Sequence, residues 1–172
     1  MLQAEVRSIL GYRAAVIPRN YTEAREAYSY RADPAVPVFP DNKPIIIFDG
    51  KCVLCSRWAR FVMRHDAAKQ FRLLAAQTPL GTALYEHYGL DPVEYETNVL
   101  LEDGRAFLKS ESTIRMFERL GLPWSTMKVL RVVPRALRDR FYNVVARNRL
   151  RWFGSRETCF VPEPSDAERF LE

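Results

Sequence analysis

Two cysteines separated by two residues, Cys52 and Cys55, and an aspartate three positions upstream, Asp49, are the residues best equipped for chemistry in this chain. A pair at this spacing opening a helix has its sulfurs within disulfide reach. Unpaired amides and the positive end of the dipole at a helix N-terminus favour a thiolate over a thiol. The spacing therefore predicts disulfide exchange, with Cys52, nearer the surface, as nucleophile and Cys55, one turn deeper, as resolver. Lys51 should favour the thiolate. Asp49 either accepts a proton from Cys55 or holds the loop by accepting backbone N–H groups, unless it is only a turn residue ahead of Gly50. Gly50 is expected to serve backbone geometry.

Two other readings fit a lone pair of cysteines. A zinc site would need two more ligands from Cys159, His65 or His87, and His65 lies about 15 Å along a helix from Cys55. Alternatively the two thiols are small core residues. Their place beside Gly50 and Lys51 argues against that, so neither a metal nor an organic cofactor is expected.

The elements around the pair follow from hydrophobic patterning. Ile45 to Phe48 is a short β-branched run bounded by Pro44 and Asp49-Gly50, which predicts a buried central strand. Leu54, Trp58, Phe61 and Val62 fall on one face of a helix running to about His65. A second strand is expected over residues 70–75 and a helix over 79–88, stopped by Gly89. Asp103-Gly104 between two apolar runs predicts a hairpin. Ser110 or Ser112 should cap a helix containing Ile114, Phe117 and Leu120. This strand–helix–strand–helix–hairpin–helix order is the thioredoxin-like one, an α/β fold with a mixed sheet flanked by helices.

Residues 1–43 are expected to form an N-terminal extension and proline-rich connector, with a short helix between Tyr21 and Tyr30, ahead of a core over 44–121. A basic helical C-terminal appendage and tail should follow over 122–172. Ser125 could cap a helix to Val133. Pro134 could open another reaching about Arg147, with Leu137, Phe141, Val144 and Val145 as its apolar stripe.

The stretch Ile45-Ile46-Ile47-Phe48-Asp49-Gly50-Lys51-Cys52-Val53-Leu54-Cys55 resembles the signature of the DCC family of thiol-disulfide oxidoreductase-like proteins, named for one Asp and two Cys. These match Asp49, Cys52 and Cys55. Phe107 to Thr113, Val133-Pro134-Arg135, Arg138 to Tyr142, and Ala146 to Gly154 followed by Cys159 are similar to further family blocks, so the resemblance covers about residues 44–162. It implies a thioredoxin-like fold and a disulfide exchange activity on a protein or small-molecule disulfide or thiol. Better-known thioredoxin relatives place a cis-proline before the third core strand. Here Thr97-Asn98 occupies that place, making Asn98 a supporting site residue.

The net charge is +5, yet between Lys128 and Arg156 nine basic residues face a single acid, Asp139. Arg147, Arg149 and Arg151 in this block either pair with the protein's own acids, bind a substrate anion near the cysteines, or meet an anionic partner. No nucleic-acid motif accompanies the charge, so nucleic acid is not expected as a partner. A non-enzymatic module presenting the 128–156 surface to an anionic partner is the alternative to the redox reading. With three cysteines and no apolar run near the roughly 20 residues that cross a bilayer, no transmembrane segment is expected. A cytoplasmic location is expected, with organelle targeting by the basic N-terminal extension left open. Oligomeric state and the role of Cys159 are not legible.

Overall fold

A computed structural model describes residues 25–171 apart from 96, 157, 159, 161 and 163. The extension before residue 25 and Cys159 lie outside the described residues.

Ile45–Phe48 (β1) is the middle strand of a five-stranded sheet in the order β4-β3-β1-β2-β5. Arg72–Ala75 (β2) runs parallel to β1, Val99–Glu102 (β3) antiparallel to it, and Arg105–Leu108 (β4) closes a hairpin with β3. The short strand Phe170–Leu171 (β5) adds to β2 in parallel. A central strand covered on both faces must be apolar at every position, and all four residues of β1 are fully buried. Ile45 and Ile47 face a cluster with Leu84, Tyr85 and Val99, while Ile46 packs with Val62, Leu100 and Met116 on the other side.

The helices are Val53–His65 (α1), Pro79–His87 (α2), Lys109–Arg119 (α3) and Arg135–Phe153 (α4). The order and the mixed strand directions agree with the thioredoxin-like expectation. Asp103 and Gly104 both have positive φ, 49° and 73°, as the two-residue hairpin turn requires. A Cβ on Gly104 would also sit 2.5 Å from the ring of Tyr28.

The details differ from expectation in five places. Residues 29–32 form a 3₁₀ turn, and Tyr30 and Val36 from this early segment are buried in the same cluster as Ile45. On α1 the buried positions are Cys55, Ser56, Ala59 and Val62, the last three completely. Leu54, Trp58 and Phe61 are only partly buried, and the two aromatics pack against Phe117. Neither Ser110 nor Ser112 caps α3. The helix starts at Lys109, and Asp139 of α4 accepts from the Ser110 amide at 3.3 Å and its hydroxyl at 2.5 Å, supplying the cap from another element. Trp124–Val132 is a 3₁₀ run, and α4 extends past Arg147 to Phe153 before Gly154 stops it. The expected apolar stripe of α4 is not a core face either: Leu137, Phe141 and Val144 are exposed.

Candidate functional site

The end of β1 delivers Asp49 to the sheet edge, and the chain turns through Gly50 and Lys51 into α1. Cys52 is the N-cap of that helix. Its backbone is extended (φ −76°, ψ 124°), and its sulfur accepts from the Cys55 amide at 3.4 Å, taking the place of a capping hydroxyl. Both cysteines are free thiols in this structure.

The electrostatics of the pair are asymmetric. The Cys52 thiol is brought down to about 6, first by the hydrogen bond from the Cys55 thiol, then by the Cys55 amide and the charge of Arg149. Burial and Asp49 act in the opposite sense. Cys55 is pushed far up, because it donates to Cys52 and is itself desolvated. One sulfur thus holds the negative charge and the other holds the proton.

Asp49 is buried and holds the turn. Its Oδ1 accepts from the Lys51 amide (3.0 Å), the Cys52 amide (3.3 Å) and Gln77 Nε2 (2.7 Å), and its Oδ2 from Arg149 Nη2 (3.3 Å). Gln77 also accepts from the Gly50 amide at 3.0 Å. It ties the loop to the start of the next helix, a role that nothing in the local sequence signals. Lys51, expected to favour the thiolate, is exposed. The cation acting on the sulfurs is Arg149.

Of the three arginines spaced along α4, Arg149 alone is buried; Arg147 and Arg151 are exposed and stand away from the cysteines. An i, i+2 spacing cannot keep three side chains on one helical face. Besides Asp49, Arg149 donates to the carbonyls of Glu94 (2.8 Å), Tyr95 (3.0 Å) and Ala146 (2.8 Å). Its Nε is buried and has no partner among the described residues. Much of the remaining basic block meets the protein's own acids: Arg131 pairs with Glu111 and Glu118, and Arg138 lies 3.8 Å from Glu111.

Beside Arg149 lies a cavity of about 160 Å³, lined among others by Cys55, Trp58, Asn98 and Tyr142. Cys55, at 7% exposure, is on its wall. Cys52, expected nearer the surface, has no exposed area. The segment after α4 covers it: Ser155 forms an antiparallel bridge with Cys52, and the amides of Arg156 and Phe160 donate to the carbonyls of Lys51 (2.8 Å) and Gly50 (3.0 Å). Phe160 packs in the same cluster as both cysteines.

Asn98 sits at the start of β3, where the thioredoxin-like order brings the chain past the cysteines. Its amide donates to the Tyr142 hydroxyl at 3.1 Å, and the Thr97 carbonyl accepts from the Tyr85 hydroxyl at 2.5 Å. The cis peptide bond among the described residues, Leu122–Pro123, lies elsewhere. Among the described residues, no three His, Cys, Asp or Glu gather as metal ligands, and no helix is long and apolar enough to cross a membrane.

Comparison with known proteins places this arrangement. The profile of the DCC1-like thiol-disulfide oxidoreductase family matches residues 46–155. The chain is similar to the uncharacterized protein YuxK of Bacillus subtilis, 33% identical over 74% of this chain and 93% of that one. It is also similar to a chloroplastic DCC family protein of Arabidopsis thaliana, 34% identical over 69% of this chain and 70% of the relative. No solved structure matches the chain.

Proposed function

The chain belongs to the DCC1-like thiol-disulfide oxidoreductase family, and from that premise we propose that it exchanges disulfides through the Cys52/Cys55 dithiol. The observation that carries this reading is the Cys55 amide and thiol both directed at one sulfur at a helix start, so that charge is held on Cys52. Such a pair can cycle between dithiol and disulfide with thiols or disulfides as the only co-reactants and without an organic cofactor. Asp49 and Gln77 keep the turn in place while the sulfurs change partners. A reducing compartment suits free thiols. The basic N-terminal stretch and the chloroplastic relative agree with either a cytoplasmic or an organellar site.

Counting free thiols after equilibration in glutathione buffers of graded potential tests the reading. A reversible loss of two thiols, mapped to Cys52 and Cys55, is expected. A folded protein that keeps both thiols free across the whole range would falsify it.

A second reading draws on the exposed face of α4, where Leu137, Phe141 and Trp152 stand beside Arg147 and Arg151. It is an interaction surface for an anionic partner. Salt-sensitive binding that survives Cys52→Ser would support it, and binding indifferent to salt would remove it.

A further inference from the structure

Three observations bear on which sulfur meets the substrate and what the substrate is. First, the cavity reaches Cys55, whereas Cys52 is roofed by the backbone of Gly154, Ser155, Arg156 and Phe160. Second, the Asn98 amide and the Thr97 carbonyl, the groups placed to clamp an extended peptide, are already bonded to Tyr142 and Tyr85. Peptide capture by added strand pairing has no free edge there. A volume of about 160 Å³ is also smaller than the pockets that hold drug-sized ligands. Third, Arg149 lines the same cavity, is 8% exposed, and keeps its buried Nε without an acceptor. A buried cation on the cavity wall with donor capacity left over favours an acceptor oxygen on a small molecule that enters.

We infer that Cys55 is the sulfur that carries the mixed disulfide, that Cys52 is the resolving sulfur, and that the substrate is a low-molecular-weight thiol with an acceptor oxygen for the Arg149 guanidinium on the cavity wall. The inference rests on the dithiol reading above and reverses the order of attack that the spacing alone suggests.

A substrate thiolate RS⁻ enters the cavity and attacks Sγ of Cys55 in the oxidised protein. The Cys52–Cys55 bond breaks, Cys52 leaves as a thiolate, and Cys55–S–S–R forms. A second RS⁻ attacks the R sulfur, releasing RSSR and leaving Cys55 as a thiolate that takes up a proton. Two substrate thiols are oxidised to one disulfide while the protein disulfide is reduced to the dithiol. The same steps in reverse, with a small disulfide as oxidant, restore the protein disulfide. Exchange is faster when the departing sulfur is the more acidic. Cys52 is that sulfur in the first step; the second step expels Cys55, whose proton is held tightly, and is the slower of the two. The choice of Cys55 as the attacked sulfur rests on access, since the cavity reaches it and Cys52 has no exposed area.

The test uses the full chain in a Cys159→Ser background, oxidised and then mixed with 3-mercaptopropionamide. The mixture is quenched in acid within milliseconds to seconds, alkylated and mapped by mass spectrometry. The adduct is expected on Cys55 with the alkyl label on Cys52; an adduct on Cys52 overturns the assignment. 1-Butanethiol, which lacks the acceptor oxygen, should react about tenfold more slowly, on the scale of one hydrogen bond. Equal rates overturn the role of Arg149. A cysteine-containing peptide reacting faster than either small thiol overturns the substrate class. If no oxidised protein can be prepared at all, the dithiol reading itself falls, a failure distinct from a misplaced adduct.

Discussion

Helix α1 is pinned near each end by a buried aspartate paired with an arginine about a hundred residues further along the chain, and the two pairs are built differently. Beyond its C-terminal end, Asp66 accepts from the amides of Gln70 and Phe71, both at 3.0 Å, and from Arg169 Nη2 at 2.5 Å. Arg169 also donates to the carbonyls of Phe71 and Met63, so all three of its nitrogens have partners. Ahead of the N-terminal end, Asp49 meets Arg149 at 3.3 Å, and Arg149 keeps one buried nitrogen unbonded. The first pair, with β5, latches the C-terminal strand to the sheet. The second leaves one buried donor unbonded in a residue that lines a cavity, and sets a charge beside two sulfurs. A saturated buried ion pair is architecture; an unsaturated one can still answer to a ligand.

The comparison can be broken most completely at the sulfurs. Cys52→Ser or Cys55→Ser should abolish the reversible dithiol oxidation seen by thiol counting. The next effect in size belongs to the latch. Arg169→Met leaves Asp66 buried without its cation and should cost about 3–5 kcal/mol in urea denaturation. The dithiol of the folded fraction should keep its redox midpoint; a shifted midpoint would erase the distinction between the two ends.

A smaller effect is electrostatic. Thiolate absorbance near 240 nm should titrate with a midpoint about 6 in the reduced protein and lose that transition in Cys52→Ser. Because the folded value lies below the ordinary 9, the charged sulfur stabilises the reduced fold fully above pH 9, progressively less down to 6, and not below it. The unfolding free energy of the reduced protein should therefore fall as pH drops through that window, and that of the oxidised protein, which has no Cys52 thiol to titrate, should lack this component. Asp49→Asn removes a charge that opposes the thiolate and should move the midpoint lower still. The smallest expected effect is at Arg147→Ala and Arg151→Ala, both exposed, which should stay within about 0.5 kcal/mol of wild type and leave the midpoint in place.

Local pattern was enough to read most of the framework. The run Ile45–Phe48, the proline and glycine stops, the Asp103-Gly104 turn and the C-x-x-C at a helix start are signals within a few residues of one another. The chemistry they announce depends on short-range geometry. Asp49, Cys52 and Cys55 were legible for the same reason. Patterning misjudged α4, where apolar side chains at helical spacing proved to be exposed, because periodicity reports a face without saying what it meets. It also placed the cap of α3 on nearby serines, when the acceptor comes from Asp139.

What the sequence determined by itself was therefore the order of elements, the position of the dithiol and the bias toward a thiolate at a helix N-terminus. Only the tertiary structure decided which sulfur is covered and which lines a cavity, and that Arg149 rather than Lys51 is the cation beside them. It alone revealed Gln77, Tyr142 and the Asp66–Arg169 latch. These depend on contacts between residues far apart in the chain, and such contacts follow from how the helices and tail pack on the sheet rather than from the spacing of any one motif.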